Sequence, residues 1–213
     1  MSLAYRVLLP PAGSRRRRPG DAAAAGVGAA GLATTALVAA AGQTPALERE
    51  VFAAVNRLPG AAAPGVWVVM QAGSLPAVFV AGGLALAARR PRLALGLVAG
   101  GTTAWALAKV VKQAVGRGRP EALLHDVIVH GTAATGLGFP SGHAAVAAAL
   151  VTIAAPYVTR PARIAGWAVV GLVAASRVYV GAHLPLDAAG GIFLGWVVGS
   201  GVGLVLGVPA RRA

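Results

Sequence analysis

The sequence predicts an all-α polytopic membrane protein, a bundle of six transmembrane helices. Three observations carry that expectation. Apolar residues make up 57% of the 213-residue chain and charged residues only 12%, against about 25% charged in an ordinary soluble domain. The apolar residues fall in long runs separated by short charged stretches. The basic residues gather in alternate connections between those runs, as the positive-inside rule requires.

Residues 1–20 are rich in Pro, Gly and Arg and end in the arginine run 15–18. We read them as a disordered basic tail that holds the N-terminus in the cytoplasm beside anionic headgroups. A membrane domain over residues 21–208 follows. Residues 21–42 form its weakest span, because alanine is only marginally apolar. A basic run before an apolar one also outlines a signal peptide. This apolar stretch exceeds the usual core of about 7 to 15 residues, so it is read as an uncleaved span.

Residues 47–58, LEREVFAAVNRL, place Leu47, Val51, Ala54, Val55 and Leu58 at helical spacing, with Glu48, Arg49, Glu50, Asn56 and Arg57 largely elsewhere. The segment is too short and too charged to span, and it predicts an interfacial helix on the outer leaflet. Spans at 64–88, 93–115, 141–157, 164–175 and 185–208 complete the count, leaving a cytoplasmic tail at 209–213. Arg89, Arg90, Arg92, Arg160, Arg163, Arg211 and Arg212 then lie inside with both termini. Ala94, Gly96, Ala99, Gly100 and Gly101 permit close helix packing.

Composition also excludes. A net charge of +13 suits nucleic acid only where basic residues interleave with aromatics on a polar surface, and here they sit between spans. Nucleic acid is therefore not an expected partner. With no Cys there is no disulfide framework or thiolate metal site. Abundant Ala, Gly and Arg suggest a GC-rich bacterial genome.

The basic residues that fall outside and break the charge bias are mainly Lys112, Arg117, Arg119 and Arg177. Each belongs to a short motif. Residues 112–120 read KQAVGRGRP, with Lys112 in the last turns of the third span and Gly116, Gly118 and Pro120 stopping the helix, so that Arg119 comes from the loop. A Lys and an Arg can then approach one anion from two directions, the Arg by its planar fork. Residues 140–143 read PSGH: Ser141 suits an N-cap, Gly142 and His143 the first turn, and the backbone N–H groups there suit a phosphate. Residues 176–187 read SRVYVGAHLPLD. Pro185 fits the first position of the last span, which puts Asp187 in its first turn and His183 just before it, where the carboxylate can fix the imidazole tautomer. All three motifs fall at the extracytoplasmic ends of their spans.

Together the runs KxxxxxxRP, PSGH and SRxxxxxHxxxD resemble the signature of the type 2 phosphatidic acid phosphatase superfamily, which includes vanadium-dependent haloperoxidases. The resemblance covers residues 112–187, with every signature position filled, and the N-terminal half carries none of it. It implies a helical bundle of the acid phosphatase/haloperoxidase type. It also implies hydrolysis of a lipid phosphate through a phosphohistidine without metal or other cofactor. On that pattern His183 attacks phosphorus, Asp187 orients it, and His143 protonates the leaving oxygen and then activates water. Lys112, Arg119, Ser141, Gly142 and Arg177 hold the phosphate oxygens. The expected partners are the lipid phosphate and membrane lipids, in the cytoplasmic membrane with the site facing outward.

Glu121, Asp126 and Asp187 are the acids expected near the site, too few and too scattered for a magnesium cradle. His125, Asp126 and His130 in the outer loop 121–139 are read as facing water. A haloperoxidase would share the pocket, but those relatives are typically soluble. A transporter would place polar groups near mid-membrane, where these spans have almost none, and the intact motifs argue against an inactive scaffold.

Overall fold

The computed structural model describes residues 15–210. Most of the predicted basic tail, residues 1–14, and Arg211 and Arg212 lie outside the described residues. Arg15 and Arg16 form a two-residue strand (β1) antiparallel to Val208–Pro209 (β2), which joins the two ends of the described chain.

Nine α-helices occur among the described residues: α1 (Pro19–Ala40), α2 (Ala46–Asn56), α3 (Ala63–Met70), α4 (Leu75–Ala87), α5 (Pro91–Val115), α6 (Pro120–Leu123), α7 (Gly142–Ala154), α8 (Arg160–Tyr179) and α9 (Pro185–Leu206). Pro stands in the first turn of α1, α3, α4, α5, α6, α8 and α9. There its missing N–H costs nothing and its fixed φ starts the helix.

By length and composition α1, the segment Pro91–Leu123 that begins with α5, and α9 are apolar enough to cross a membrane, and the segment containing α3 passes the same test together with α4, as a broken span or a re-entrant loop bent by 63°. The bend falls at Ser74, whose Oγ accepts from the Ala77 N–H as the cap of α4. α7 with its 3₁₀ extension, Gly142–Tyr157, is a shorter apolar helix. α8 has 20 residues but carries Arg160, Arg163 and Arg177. Six-span topology therefore remains our reading of these elements.

The bundle hides small residues and shows large ones outward, as a protein solvated by lipid does. Leu37, Val68, Phe79, Val80, Leu84, Leu95, Val110, Leu172 and Val205 are exposed. Inside, α9 lies directly against α7. A Cβ on Gly191 would collide with the Ser141 carbonyl, one on Gly195 with the Ala145 carbonyl, and one on Gly199 would lie 2.5 Å from the Thr152 Cβ. Glycines four apart on α9 face Ala144, Ala145, Ala148 and Ala149, all buried on α7. Gly100 and Gly101 of α5 do the same against Ile153 and Val78, the packing role expected of them, while Ala99 faces outward.

Asp21, Arg92, Pro156, Tyr157 and Val208 line one cleft. The start of α1, the start of α5, the end of α7 and the end of α9 therefore share one end of the bundle. The end of α5, the start of α7, the end of α8 and the start of α9 meet at the other.

The helix α2 packs on the protein through the side that carries its polar residues. Its buried residues are Glu48, Phe52 and Asn56, while Leu47 is 73% exposed and Val51, Ala54 and Leu58 are also exposed. The apolar stripe faces away from the protein, and the face that packs carries a carboxylate and an amide. Polar groups win that face because each has a partner waiting there. Asn56 Nδ2 donates to the carbonyls of Ile128 (2.7 Å) and Tyr179 (2.9 Å), and its Oδ1 accepts from the Ile128 N–H (2.8 Å).

Candidate active site

The three motifs are brought together mainly by backbone. Gly116, with φ +68°, ends α5 in the left-handed region, its N–H donating to the Lys112 carbonyl at 2.9 Å, the helix stop that glycine suits. Lys112 Nζ donates to the carbonyls of Leu137 (2.9 Å) and Gly138 (2.6 Å). The Gly138 N–H donates to the Arg117 carbonyl at 2.7 Å. Gly138 has no room for a side chain: a Cβ would lie 2.6 Å from the Gly118 carbonyl oxygen and 3.0 Å from Asp187 Oδ2. The cis Phe139–Pro140 peptide leads into α7.

Ser141 caps α7 and is fully buried. Its N–H donates to the Asp187 carbonyl at 2.8 Å, so the second motif is tied directly to the third. The glycine stripe of α9 makes this possible by letting the two helix starts touch. Gly142 and His143 occupy the first turn of α7, and a Cβ on Gly142 would meet only Ala108, at 4.0 Å. Neither packing nor φ demands glycine there. The partly buried His143 lies within electrostatic reach of Arg177 and His183.

Arg119 bridges the first and third motifs. Its Nε donates to the Thr135 carbonyl (2.8 Å) and its Nη1 to the Ala182 carbonyl (2.7 Å). The amides of Ala182 and His183 both donate to the Arg177 carbonyl at 3.1 Å. Arg177, in the last turn of α8, has no carboxylate partner among the described residues: Nη1 contacts Met70 Sδ, and Nε is buried without a hydrogen bond.

Asp187, in the first turn of α9, is fully buried. Oδ2 accepts from the Leu184 N–H at 2.9 Å and lies 3.4 Å from His183 Nδ1, long for a hydrogen bond. Nδ1 has no other partner among the described residues. Burial holds the His183 imidazole down to about 4, with Asp187 pulling the other way, so the ring is neutral near pH 7. Oδ1 of Asp187 accepts from Arg117 Nη1 at 2.9 Å.

Arg117 and Glu48 were not among the expected site residues. Glu48 accepts from Arg117 through both oxygens, Oε1 from Nη1 at 3.0 Å and Oε2 from Nη2 at 2.6 Å. Its Oε1 also accepts from the Leu186 N–H at 2.9 Å. Burial alone would lower the Arg117 pKa, and the hydrogen bonds and charges of Glu48 and Asp187 raise it instead. The expectation that the nearby acids are Glu121, Asp126 and Asp187 is thus corrected, since Glu48 stands one guanidinium away from Asp187. A three-residue spacing cannot reveal a contact between positions 48 and 117; the one signal was the arginine that Arg117 adds to the first motif.

The loop 121–139 also differs in part. His125 and Asp126 are exposed, as expected. His130 instead stacks on Tyr179 with ring centroids 4.2 Å apart, and its Nε2 lies 2.9 Å from the Asn56 carbonyl oxygen, because an imidazole half-covered by an aromatic face satisfies both its apolar and polar parts.

Lys112, Arg117, Arg119 and Arg177 face Glu48 and Asp187, which leaves a net charge of +2 with both histidines neutral. Both carboxylates are engaged by Arg117, so the uncompensated charge resides on Lys112, Arg119 and Arg177. Such a cluster is costly to bury alone and is stabilised by a multiply charged anion. Among the described residues no group of three or more His, Cys, Asp or Glu is placed to hold a metal ion.

The family model described as "PAP2 superfamily" matches residues 91–207, more than half of the chain and all three motifs. No curated protein matches the sequence. Among solved structures, LpxE of Aquifex aeolicus superposes with a TM-score of 0.62 at 22% identity, covering 74% of this chain and 94% of its own. The PAP2 type phosphatidylglycerolphosphate phosphatase of Bacillus subtilis superposes with a TM-score of 0.60 at 22% identity, covering 80% of this chain and 92% of its own. At that identity the two structures speak for the fold, and the family match carries the rest. The chain belongs to the PAP2 superfamily and is a phosphoric ester hydrolase built on that family's helical membrane fold.

Proposed function

We propose that this protein removes phosphate from a lipid phosphomonoester or diphosphate at the outer face of the cytoplasmic membrane, through a phosphohistidine on His183. The observation that carries the reading is the cluster of Lys112, Arg119 and Arg177, cations that have no carboxylate of their own among the described residues, around two histidines. A phosphomonoester dianion matches the net charge of +2. Gly142, which no packing contact requires, leaves the start of α7 open to an approaching oxygen, where backbone N–H groups and the helix dipole favour negative charge.

The chemistry follows from the hydrogen-bonding capacities. Asp187 as a carboxylate only accepts, so His183 carries its proton on Nδ1 and its lone pair on Nε2. Nε2 attacks phosphorus, the bond from phosphorus to the ester oxygen breaks, and His143, which takes up a proton from water once the phosphate dianion sits beside it, gives that proton to the leaving alkoxide. His143, now a base, takes a proton from water as the water oxygen attacks phosphorus. The P–N bond breaks, its electron pair returns to Nε2, and phosphate leaves. Lys112, Arg119, Arg177 and the Ser141–Gly142 helix start stabilise the charge that builds on the equatorial oxygens, where one preorganised donor is worth about 3 to 4 kcal/mol. The route uses no metal.

Sidedness rests on charge. Arg89 and Arg90 in the connection before α5, Arg92 at the start of α5, and Arg160 and Arg163 at the start of α8 lie at the end away from the motifs, and β1 pairs with β2 beyond α1 and α9. With that end in the cytoplasm the site faces outward. Phosphatidic acid, phosphatidylglycerol phosphate and polyprenyl phosphate or diphosphate all present the required group beside an apolar tail. The test is phosphate release by purified protein from short-chain phosphatidic acid. Release that persists in EDTA, stops with orthovanadate and disappears in a membrane-inserted His183→Ala protein supports the proposal. Release by His183→Ala at the wild-type rate refutes it.

A further inference from the structure

We propose that Glu48 is a positioning residue for this reaction: from outside the motif region it holds Arg117 so that Arg117 sets the carboxylate that orients His183. The inference rests on the hydrolase mechanism above. Glu48 belongs to α2, which precedes the region matched by the family model, and it is only 5% exposed on a helix whose flanking Arg49 and Glu50 are exposed.

Its contacts are arranged for one purpose. Both Glu48 oxygens are taken by the two terminal nitrogens of Arg117 at 3.0 and 2.6 Å, a fork that fixes the plane of the guanidinium as a single contact would not. In that plane Nη1 reaches Asp187 Oδ1 at 2.9 Å. With Oδ1 occupied, Oδ2 is the oxygen that faces Leu184 N at 2.9 Å and His183 Nδ1 at 3.4 Å. Glu48 also accepts from Leu186 N at 2.9 Å, which pins the first turn of α9 one residue before Asp187. A single side chain thereby sets both the rotation of the Asp187 carboxylate and the position of its backbone.

Charge points the same way. Arg117 alone would neutralise Asp187. Glu48 returns the triad to a net negative charge, so that Asp187 can still stabilise the positive ring formed when His183 Nε2 bonds to phosphorus. Because Glu48 touches neither the reacting atoms nor the phosphate cations, its removal affects the chemical step and leaves substrate binding alone.

The experiment compares wild type, Glu48→Gln, Glu50→Gln, Asp187→Asn and the Glu48→Gln/Asp187→Asn double variant, purified in detergent, on short-chain phosphatidic acid. Glu48→Gln is expected to lower kcat about 10- to 100-fold, the scale on which small misplacements of reacting groups act, with KM within about twofold. Glu50→Gln, exposed on the same helix, keeps the wild-type rate. The double variant is expected to be no slower than Asp187→Asn, because the two positions act through one path. A wild-type kcat for Glu48→Gln overturns the proposal, as do strictly multiplicative losses in the double variant or a loss of stability without a change in kcat. If Glu48→Gln does not insert, Glu48→Asp keeps the charge and loses the reach, and a wild-type kcat there overturns it equally. Absence of phosphate release by the wild type would instead strike the proposed function itself.

Discussion

Replacing Asp187 by Asn keeps the shape of a fully buried side chain and changes only its charge and its donors, which makes the consequence calculable. The carboxylate accepts from Arg117 Nη1 and Leu184 N, each at 2.9 Å, and faces His183 Nδ1 at 3.4 Å. An amide has one oxygen for these donors. If its oxygen stays with Arg117, its NH₂ stands against the Leu184 N–H and donates to His183 Nδ1. The imidazole proton then moves to Nε2, and the attacking lone pair is lost. If the amide turns over, its NH₂ meets the Arg117 guanidinium. Either way one buried donor goes unpaired, at a cost of about 1 to 3 kcal/mol. Glu48 still neutralises Arg117, so the loss in stability stays near that range and below the about 3 to 5 kcal/mol of a buried charge left without any partner. The rate suffers more. The comparable tautomer error in a serine protease costs about 10⁴ in kcat, or about 5 kcal/mol at 1.36 kcal/mol per decade. Phosphate release from short-chain phosphatidic acid, with detergent-state melting measured alongside, tests both figures. An inserted Asp187→Asn protein within threefold of the wild-type kcat would refute the tautomer reasoning.

Other consequences follow from the same contacts. Arg119→Lys removes a fork that spans the Thr135 and Ala182 carbonyls, and kcat/KM should fall by about 10²-fold or more, as for other lost oxyanion contacts; normal kinetics would remove Arg119 from the phosphate clamp. Burial holds His183 to about 4, below its ordinary value of about 6.5, so the unfolded chain binds the extra proton between those two values. The stability His183 contributes is complete above about pH 6.5 and declines as pH falls toward 4. Melting temperature against pH for wild type and His183→Gln measures this, and curves that run parallel across that window contradict it. Gly195→Leu forces α9 away from the Ala145 carbonyl and should separate Ser141 from Asp187, lowering both activity and melting temperature; an unchanged melting temperature would show that the close approach is not needed. Leu47→Glu charges the outward stripe of α2 and should weaken activity on vesicle-borne lipid while sparing a detergent-soluble substrate, the contrast expected if that stripe lies against lipid.

Electrostatics and packing are joined in this molecule through its smallest residues. Gly191 and Gly195 allow α7 and α9 to touch, which places the Ser141 amide on the Asp187 carbonyl. Gly138 lets the loop before α7 pass beside Gly118 and Asp187. Cations from α5, its following loop and α8 then converge on one region, and because Arg117 takes up both buried carboxylates their mutual repulsion is relieved by a bound anion.

Much was already determined by the residues in order. Long apolar runs with arginines between them specify membrane-crossing helices, since unpaired backbone cannot remain in hydrocarbon. Gly116, Ser141 and Pro185 mark helix ends by local chemistry, and the structure places a helix end at each. The motif residues announced themselves because, on the topology expected from the sequence, their cations contradict the charge bias of the rest. What only the tertiary structure decided is which face of α2 turns inward and what meets it. Amphipathic spacing reports that two faces differ and is silent on whether lipid or protein receives each. Here Glu48 found Arg117 and Asn56 found Ile128 and Tyr179, partners 69, 72 and 123 residues away, and long-range hydrogen bonds of that kind leave no period in a sequence.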